Sequence, residues 1–255
     1  VTTPLVDAIA NGQGLKCVNT LTGFKWTGQK IRQYEKKLKK EFYQQEGIAI
    51  DYDNTDYYSR IDLGIKYGNS FLFACEESYG YLPYDFVRDK DANASTVAFC
   101  ELISFLSSSK RSIIEYLDSI YLKYGYYDQK TISVYFEGES GAKKIKNILK
   151  SYKGSPPTHI GDIGVRSHMD FNETGYKDED GDPIPIEDFH IFKLDNDYSF
   201  AVRASGTEPK IKFYVFGKAS ANNQQDLQNE KLNVLKNLDL LAQTIETDAK
   251  IRANG

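Results

Sequence analysis

With 255 residues, 32 Lys and Arg against 36 Asp and Glu, and a formal net charge of -4 at pH 7, the chain lacks the positive surplus that a broad nucleic-acid footprint requires. No apolar run approaches the ~20 residues that span a bilayer, so neither nucleic acid nor membrane is expected among its partners. The length suits one large domain or two ordinary ones, and a composition 40% hydrophobic and 27% charged suits a globular fold.

The opening "VTTPLVDAIANGQG" has neither the charged n-region nor the apolar h-region of a secretory signal. It also lacks an initiating methionine, which suggests a start inside a longer protein. Cys17, Cys75 and Cys100 show no CxxC or metal-site spacing and read as reduced thiols of a cytoplasmic protein. The same opening stretch predicts a short helix, with Pro4 in its first turn and glycine closing it. "LKCVNTLTG" fits a strand that ends in a turn. A basic helix follows in "KIRQYEKKLKKEFY", where Ile31, Tyr34, Leu38 and Phe42 recur at helical spacing and the lysines form the solvated face.

"NSFLFACEESYG" is a continuous apolar run that breaks into charge, the pattern of a buried strand delivering a loop. Val97, Phe99, Leu102, Ile103 and Leu106 predict a helix over 94–106, capped by Asp91 or Asn93. "RSIIEYLDSIYLKYGYY" repeats that spacing and ends at Gly125. Helix alternating with strand over residues 1–127 predicts an α/β domain, a mixed sheet with helices on both faces.

The remainder, residues 128–255, changes character. "KTISVYFEG" is a strand pattern, and "ESGAKKIKNILKSY" is a helix with Ile145, Ile148, Leu149 and Tyr152 on one face. After the loop "KGSPPTHIGDIGV", the stretch "FHIFKLDNDYSFAVRASG" reads as two strands joined by the tight "DND" turn. "KIKFYVFGKA" alternates as a further strand. The last helix carries Leu227, Val234, Leu238, Leu241 and Ile245 on one side, a stripe that either seals the domain or meets a partner. This order predicts a smaller α+β domain.

One run concentrates chemistry. "RASGTEPKIKFY" holds Arg203, Ser205, Gly206, Thr207, Lys210 and Lys212 in a single turn between strands. An anion site needs backbone N–H groups converging on one point and a fixed cation. Gly206 permits the positive-φ turn that makes such a nest, Ser205 and Thr207 add hydroxyl donors, and Arg203 offers a bidentate fork. Lys210 and Lys212 share one strand face. On composition alone, a β-turn with a charged flank explains the run equally well.

The wording of this run resembles the phosphate-binding loop of the α-D-phosphohexomutases, the phosphoglucomutase and phosphomannomutase superfamily. Three further stretches agree in order: "TLTGFKW" (Thr20 to Trp26), "CEESYGY" (Cys75 to Tyr81) and "VRDKDA" (Val87 to Ala92). Family sequences usually carry glycine where Ala92 stands, a departure confined to local turn geometry. The wording leans toward the branch of phosphopentomutase and glucose-1,6-bisphosphate synthase.

The resemblance implies three α/β domains followed by a TATA-box-binding-protein-like α+β domain, of which this chain matches the third and fourth. It implies an enzyme that moves phosphate between the 1-position and a terminal hydroxyl of a sugar, through a phosphoserine and a bisphosphate intermediate. Arg203, Ser205, Gly206, Thr207 and Lys212 would hold the non-reacting phosphate, and Glu76 and Ser78 would meet sugar hydroxyls, with Glu77 behind them. Thr22, Gly23 and Lys25 would line the cleft. Lys90 would stabilise charge developing in the transition state, unless it serves a surface salt bridge with Asp89 or Asp91.

The implied cofactors are Mg2+, bound by a loop outside this chain, and a sugar bisphosphate activator. The implied partners are a sugar phosphate and the N-terminal half of the same enzyme. The reacting serine of the family sits in S-H-N-P, and here Ser167-His168 lacks the Asn and Pro, so it reads as a strand end. The magnesium loop D-G-D-x-D-R is copied only in its first three letters by "DGDPIP" (Asp180 to Pro185), which reads as a hairpin tip. "DFNETGYKDEDG" imitates a calcium loop but has Gly181 where a bidentate Glu is required. His159, His168 and His190 show no ligand spacing. The expectation is a substrate-recognising fragment that is inactive alone.

Overall fold

Apolar side chains at period two in six segments between residues 126 and 219 build an antiparallel sheet, and those at period 3.6 in other segments build helices. The computed structural model describes every residue except Glu137, Glu139, Gly206, Thr207 and Gly255. The chain divides into two compact units. One, the hairpin unit, comprises Thr20–Ile113 with Thr2. The other, the sheet unit, comprises Val1, Thr3–Asn19 and Ile114–Gly255.

Helix α1 (Leu5–Gly12) opens the chain as the sequence predicts, with Pro4 at its N-cap, just before the first turn expected to hold it. The strand expected in residues 15–23 does not form. With no strand alongside, its polar groups bond to side chains instead: Lys16 Nζ to Asp180 Oδ1 at 2.9 Å, and the Asn19 N–H to Glu179 Oε2 at 2.8 Å.

In the hairpin unit, α2 (Phe24–Glu46) buries Phe24, Ile31 and Leu38. Lys36, Lys37 and Lys40 are exposed, while Lys30 is buried against the Tyr34 ring. Helix α3 (Tyr57–Tyr67) was not anticipated, although Asp56 supplies its N-cap by accepting from the Ser59 N–H at 3.0 Å. Strands β1 (Ala74–Glu76) and β2 (Gly80–Leu82) form a two-stranded antiparallel hairpin. The expected mixed sheet with helices on both faces is therefore not what the described residues of this unit hold. Only the end of the apolar run enters a ladder, and Leu72 and Phe73 are about half exposed. Helix α4 (Ala92–Ser108) is capped by Asp91, which accepts from the N–H groups of Asn93 and Ala94.

In the sheet unit, α5 (Ile113–Tyr124) ends at Gly125, whose φ of 99° reverses the chain into β3 (Tyr126–Tyr135). Helix α6 (Gly141–Gly154) follows, then β4 (His159–Ile160), β5 (Ile163–Asp170), β6 (Phe189–Leu194), β7 (Ser199–Ala204), β8 (Lys210–Ala219) and α7 (Gln224–Asn254). The six strands lie in the order β3-β8-β7-β6-β5-β4, every neighbouring pair antiparallel.

One face carries Phe192, Phe200, Val202, Ile211, Phe213 and Val215, and packs with the predicted stripes of α6 and α7 into a single core. Each such side chain contributes roughly 1.5–3 kcal/mol on burial. The stripe of α7 thus seals this core. Its N-terminal end is tied to α5, where buried Asp118 accepts from Lys231 Nζ at 2.5 Å and from the side chains of Gln224 and Gln228.

Candidate functional site

The β1–β2 hairpin places Glu76 opposite Gly80 and leaves Glu77, Ser78 and Tyr79 as a three-residue loop. Glu76 Oε1 meets Lys90 Nζ at 2.9 Å, and that ammonium also lies 4.9 Å from the centre of the Phe24 ring. Asp89 is a weaker partner of Lys90 at 3.8 Å. The structure therefore joins two residues that the sequence proposes for separate roles, sugar recognition and charge stabilisation. The hydrogen bond that Lys90 donates to Glu76 raises its pKa above the ordinary lysine value, against the opposing effect of burial.

Two residues that sequence reasoning missed make this pairing possible. Phe24, buried at the start of α2, forms the floor under Lys90. Gly80 leaves room for Glu76, since a Cβ there would lie 2.2 Å from Glu76 Cγ and 2.8 Å from Phe24 Cε2. The glycine closing "EESYG" was the available signal. Ser78 is exposed, and its hydroxyl donates to Glu77 Oε2 at 2.9 Å.

Gly23 caps α2 with φ 112° and ψ 132°, a backbone that L side chains rarely adopt, although the space beside it is open. Its constraint is the angle rather than close approach. Thr22 precedes it, half-buried, and Lys25 is exposed with its ammonium over the Trp26 ring at 4.7 Å.

In the sheet unit, β7 and β8 set Arg203 directly opposite Lys212 on the face away from the helices. Among the described residues neither has a carboxylate partner. The neighbouring Lys210 differs: it is buried, salt-bridged to Glu208 at 2.5 Å, and donates to the Tyr135 hydroxyl at 3.1 Å. It therefore braces the turn instead of adding a free cation. Ser205 anchors the loop by donating its N–H to the Lys210 carbonyl at 2.9 Å. Gly206 and Thr207 lie outside the described residues.

Among the described residues, no group of three or more His, Cys, Asp or Glu could hold a metal ion. The "DGD" stretch folds into a tight turn, with Asp178 Oδ1 accepting from the N–H groups of Asp180 and Asp182, while Asp180 pairs with Lys16. These residues do not fit magnesium. Ser167 and His168 lie within β5, and the His168 ring stacks on Phe192 with centroids 4.3 Å apart.

No family model matches the chain. It is 30% identical to the phosphopentomutase of Homo sapiens over 239 residues, which make up 91% of this chain and 34% of that protein. It is 31% identical to a Staphylococcus aureus (strain N315) phosphoglucomutase over 219 residues, 84% of this chain and 34% of that one. The open form of the Paramecium phosphoprotein pp63/parafusin, a phosphoglucomutase, aligns over 95% of this chain and 37% of its own, with TM-score 0.49 and 16% identity. The homologues define a class, the phosphosugar mutases. The chain belongs to the phosphohexomutase superfamily, and it spans about a third of the length of these curated relatives.

Proposed function

We propose that the chain is the substrate-recognising part of a phosphosugar mutase, corresponding to the third and fourth domains of the family. Residues 1–127 would be the sugar-recognition domain and 128–255 the TATA-box-binding-protein-like, phosphate-binding domain. Arg203, Ser205 and Lys212, together with Gly206 and Thr207, grip the phosphate that is not reacting. Glu76 and Ser78 meet sugar hydroxyls, Thr22, Gly23 and Lys25 line the approach, and Lys90 stabilises developing negative charge. The nucleophilic serine and the magnesium loop belong to the N-terminal half of the same cytoplasmic enzyme. A phosphopentomutase or glucose-1,6-bisphosphate synthase is the branch that the sequence wording favours.

The observation that carries this reading is the Arg203–Lys212 pair. Two like charges facing each other across an antiparallel ladder repel, and an anion between them converts that repulsion into attraction. A carboxylate such as Glu76 can accept from two adjacent hydroxyls, and the lysine it now pairs with is free to turn to phosphate when a sugar replaces it.

Turnover of glucose 1-phosphate and ribose 1-phosphate, with a bisphosphate activator and Mg2+, tests the proposal. The native-length protein should interconvert them, and residues 1–255 should bind without turnover. Mutase activity from residues 1–255 alone would refute the division of labour. Binding without turnover by the native-length protein would make it a non-catalytic sugar-phosphate module instead. The native reading frame upstream of Val1 is expected to encode S-H-N-P and D-G-D-x-D-R elements.

A further inference from the structure

The loop that carries Ser78 contains a residue that its own turn does not favour. A three-residue hairpin loop places its last residue in the left-handed region, where glycine or asparagine is preferred. Here that residue is Tyr79, at φ 53°. The fold offers no packing in return. Tyr79 is 94% exposed, and among the described residues it has neither a ring contact nor a hydrogen-bond partner. Two other exposed aromatics of the unit do have ring partners, Tyr81 with Phe73 and Phe86 with Tyr84. Strain of this kind, uncompensated within the fold, gathers where a ligand supplies the missing contact.

We infer that Tyr79 is the platform on which the sugar ring stacks, and so a residue that sets specificity for phosphosugars over free phosphate. The inference rests on the reading of Glu76 and Ser78 as sugar contacts. A sugar presents hydroxyls at its edge and C–H groups on its faces. Glu76 answers the edge and leaves the faces unmatched, and an aromatic ring three residues along the same turn suits a face. The reaction adds a reason for a ring in particular. In the proposed reaction, phosphate passes between the 1-position and a terminal hydroxyl through a bisphosphate. The sugar must therefore be held in two opposed orientations, and directional hydrogen bonds break when it turns. Stacking is tolerant, because either orientation offers a face to the same π surface.

The test titrates residues 1–255 with glucose 1-phosphate and with inorganic phosphate by calorimetry, for the wild type and for Tyr79→Phe, Tyr79→Ala and Tyr79→Gly. Wild type should prefer glucose 1-phosphate. Tyr79→Phe should keep its affinity within about two-fold, and the Ala and Gly variants should lose about ten-fold, with phosphate binding unchanged. Tyr79→Gly should melt no lower than wild type, because glycine suits the turn, so its loss of affinity cannot be unfolding. If wild type prefers the sugar phosphate and Tyr79→Ala matches it, the platform is wrong while the sugar site stands. If wild type binds phosphate and glucose 1-phosphate equally, the sugar site fails and the platform with it.

Discussion

Arg203 faces Lys212 across the β7–β8 ladder, and among the described residues no carboxylate neutralises either. Directly opposed like charges destabilise a sheet by up to about 1 kcal/mol. Lys212→Gln should therefore raise stability slightly in phosphate-free buffer. Ligand binding stabilises in proportion to its affinity, so the same change should remove most of the stabilisation that added phosphate gives wild type. Urea denaturation with and without phosphate reads both effects. An undiminished phosphate response in Lys212→Gln would sink the clamp.

Gly80→Ala should damage the sugar half at its base. The new methyl would press on Glu76 Cγ at 2.2 Å and Phe24 Cε2 at 2.8 Å, and Phe24 is a buried core residue that cannot swing away. Overpacking of this kind costs roughly 1–3 kcal/mol. Denaturation should show that loss, and calorimetry should show weaker binding of glucose 1-phosphate with inorganic phosphate unaffected.

Lys90→Met separates stability from chemistry. The Lys90–Glu76 pair is partly open to solvent, so its loss should cost no more than about 1 kcal/mol. The folded pKa of Lys90 is raised, so the pair contributes fully below the unfolded lysine value and fades as pH rises through the folded one. In the native-length enzyme the same substitution should lower turnover by about 10²-fold or more. Turnover equal to wild type would return Lys90 to the role of a surface salt bridge.

The sheet unit was legible because its signals are local and redundant. Ile145, Ile148, Leu149 and Tyr152 repeat at helical spacing and are all buried, and the "DND" turn falls where the pattern changes, with Asp197 at φ 62°. The hairpin unit was less so. "LKCVNTLTG" and "NSFLF" have strand composition, but a strand exists only when another lies beside it, and composition does not reveal the neighbour. Residues of the site were named from loop wording. Their pairing was not, because the contact of Glu76 with Lys90 depends on Phe24 and Gly80, two residues with no polar chemistry to announce them.

Histidine reasoning missed a second relationship, one that sets the response to acid. His168 and His190 lie on neighbouring strands and share a hydrogen bond of 3.1 Å between His168 Nε2 and His190 Nδ1. His190 is fully buried. Its Nδ1 lies 3.5 Å from Asp170 Oδ1, while among the described residues its Nε2 has no hydrogen-bond partner and stands 3.9 Å from Asp188 Oδ1. Burial pushes the pKa of both imidazoles down, more strongly than the pull of Asp170 raises it, and His168 and then Lys153 add to the fall at His190. A histidine with a depressed folded pKa binds more protons unfolded than folded. Stability is therefore complete above the unfolded value of about 6.5 and declines as pH drops toward the folded one. Unfolding free energy should fall as pH drops below about 6.5, and His190→Phe should flatten that slope by removing the buried proton acceptor. Urea midpoints at several pH values decide it, and an equal slope in His190→Phe would place the acid sensitivity elsewhere.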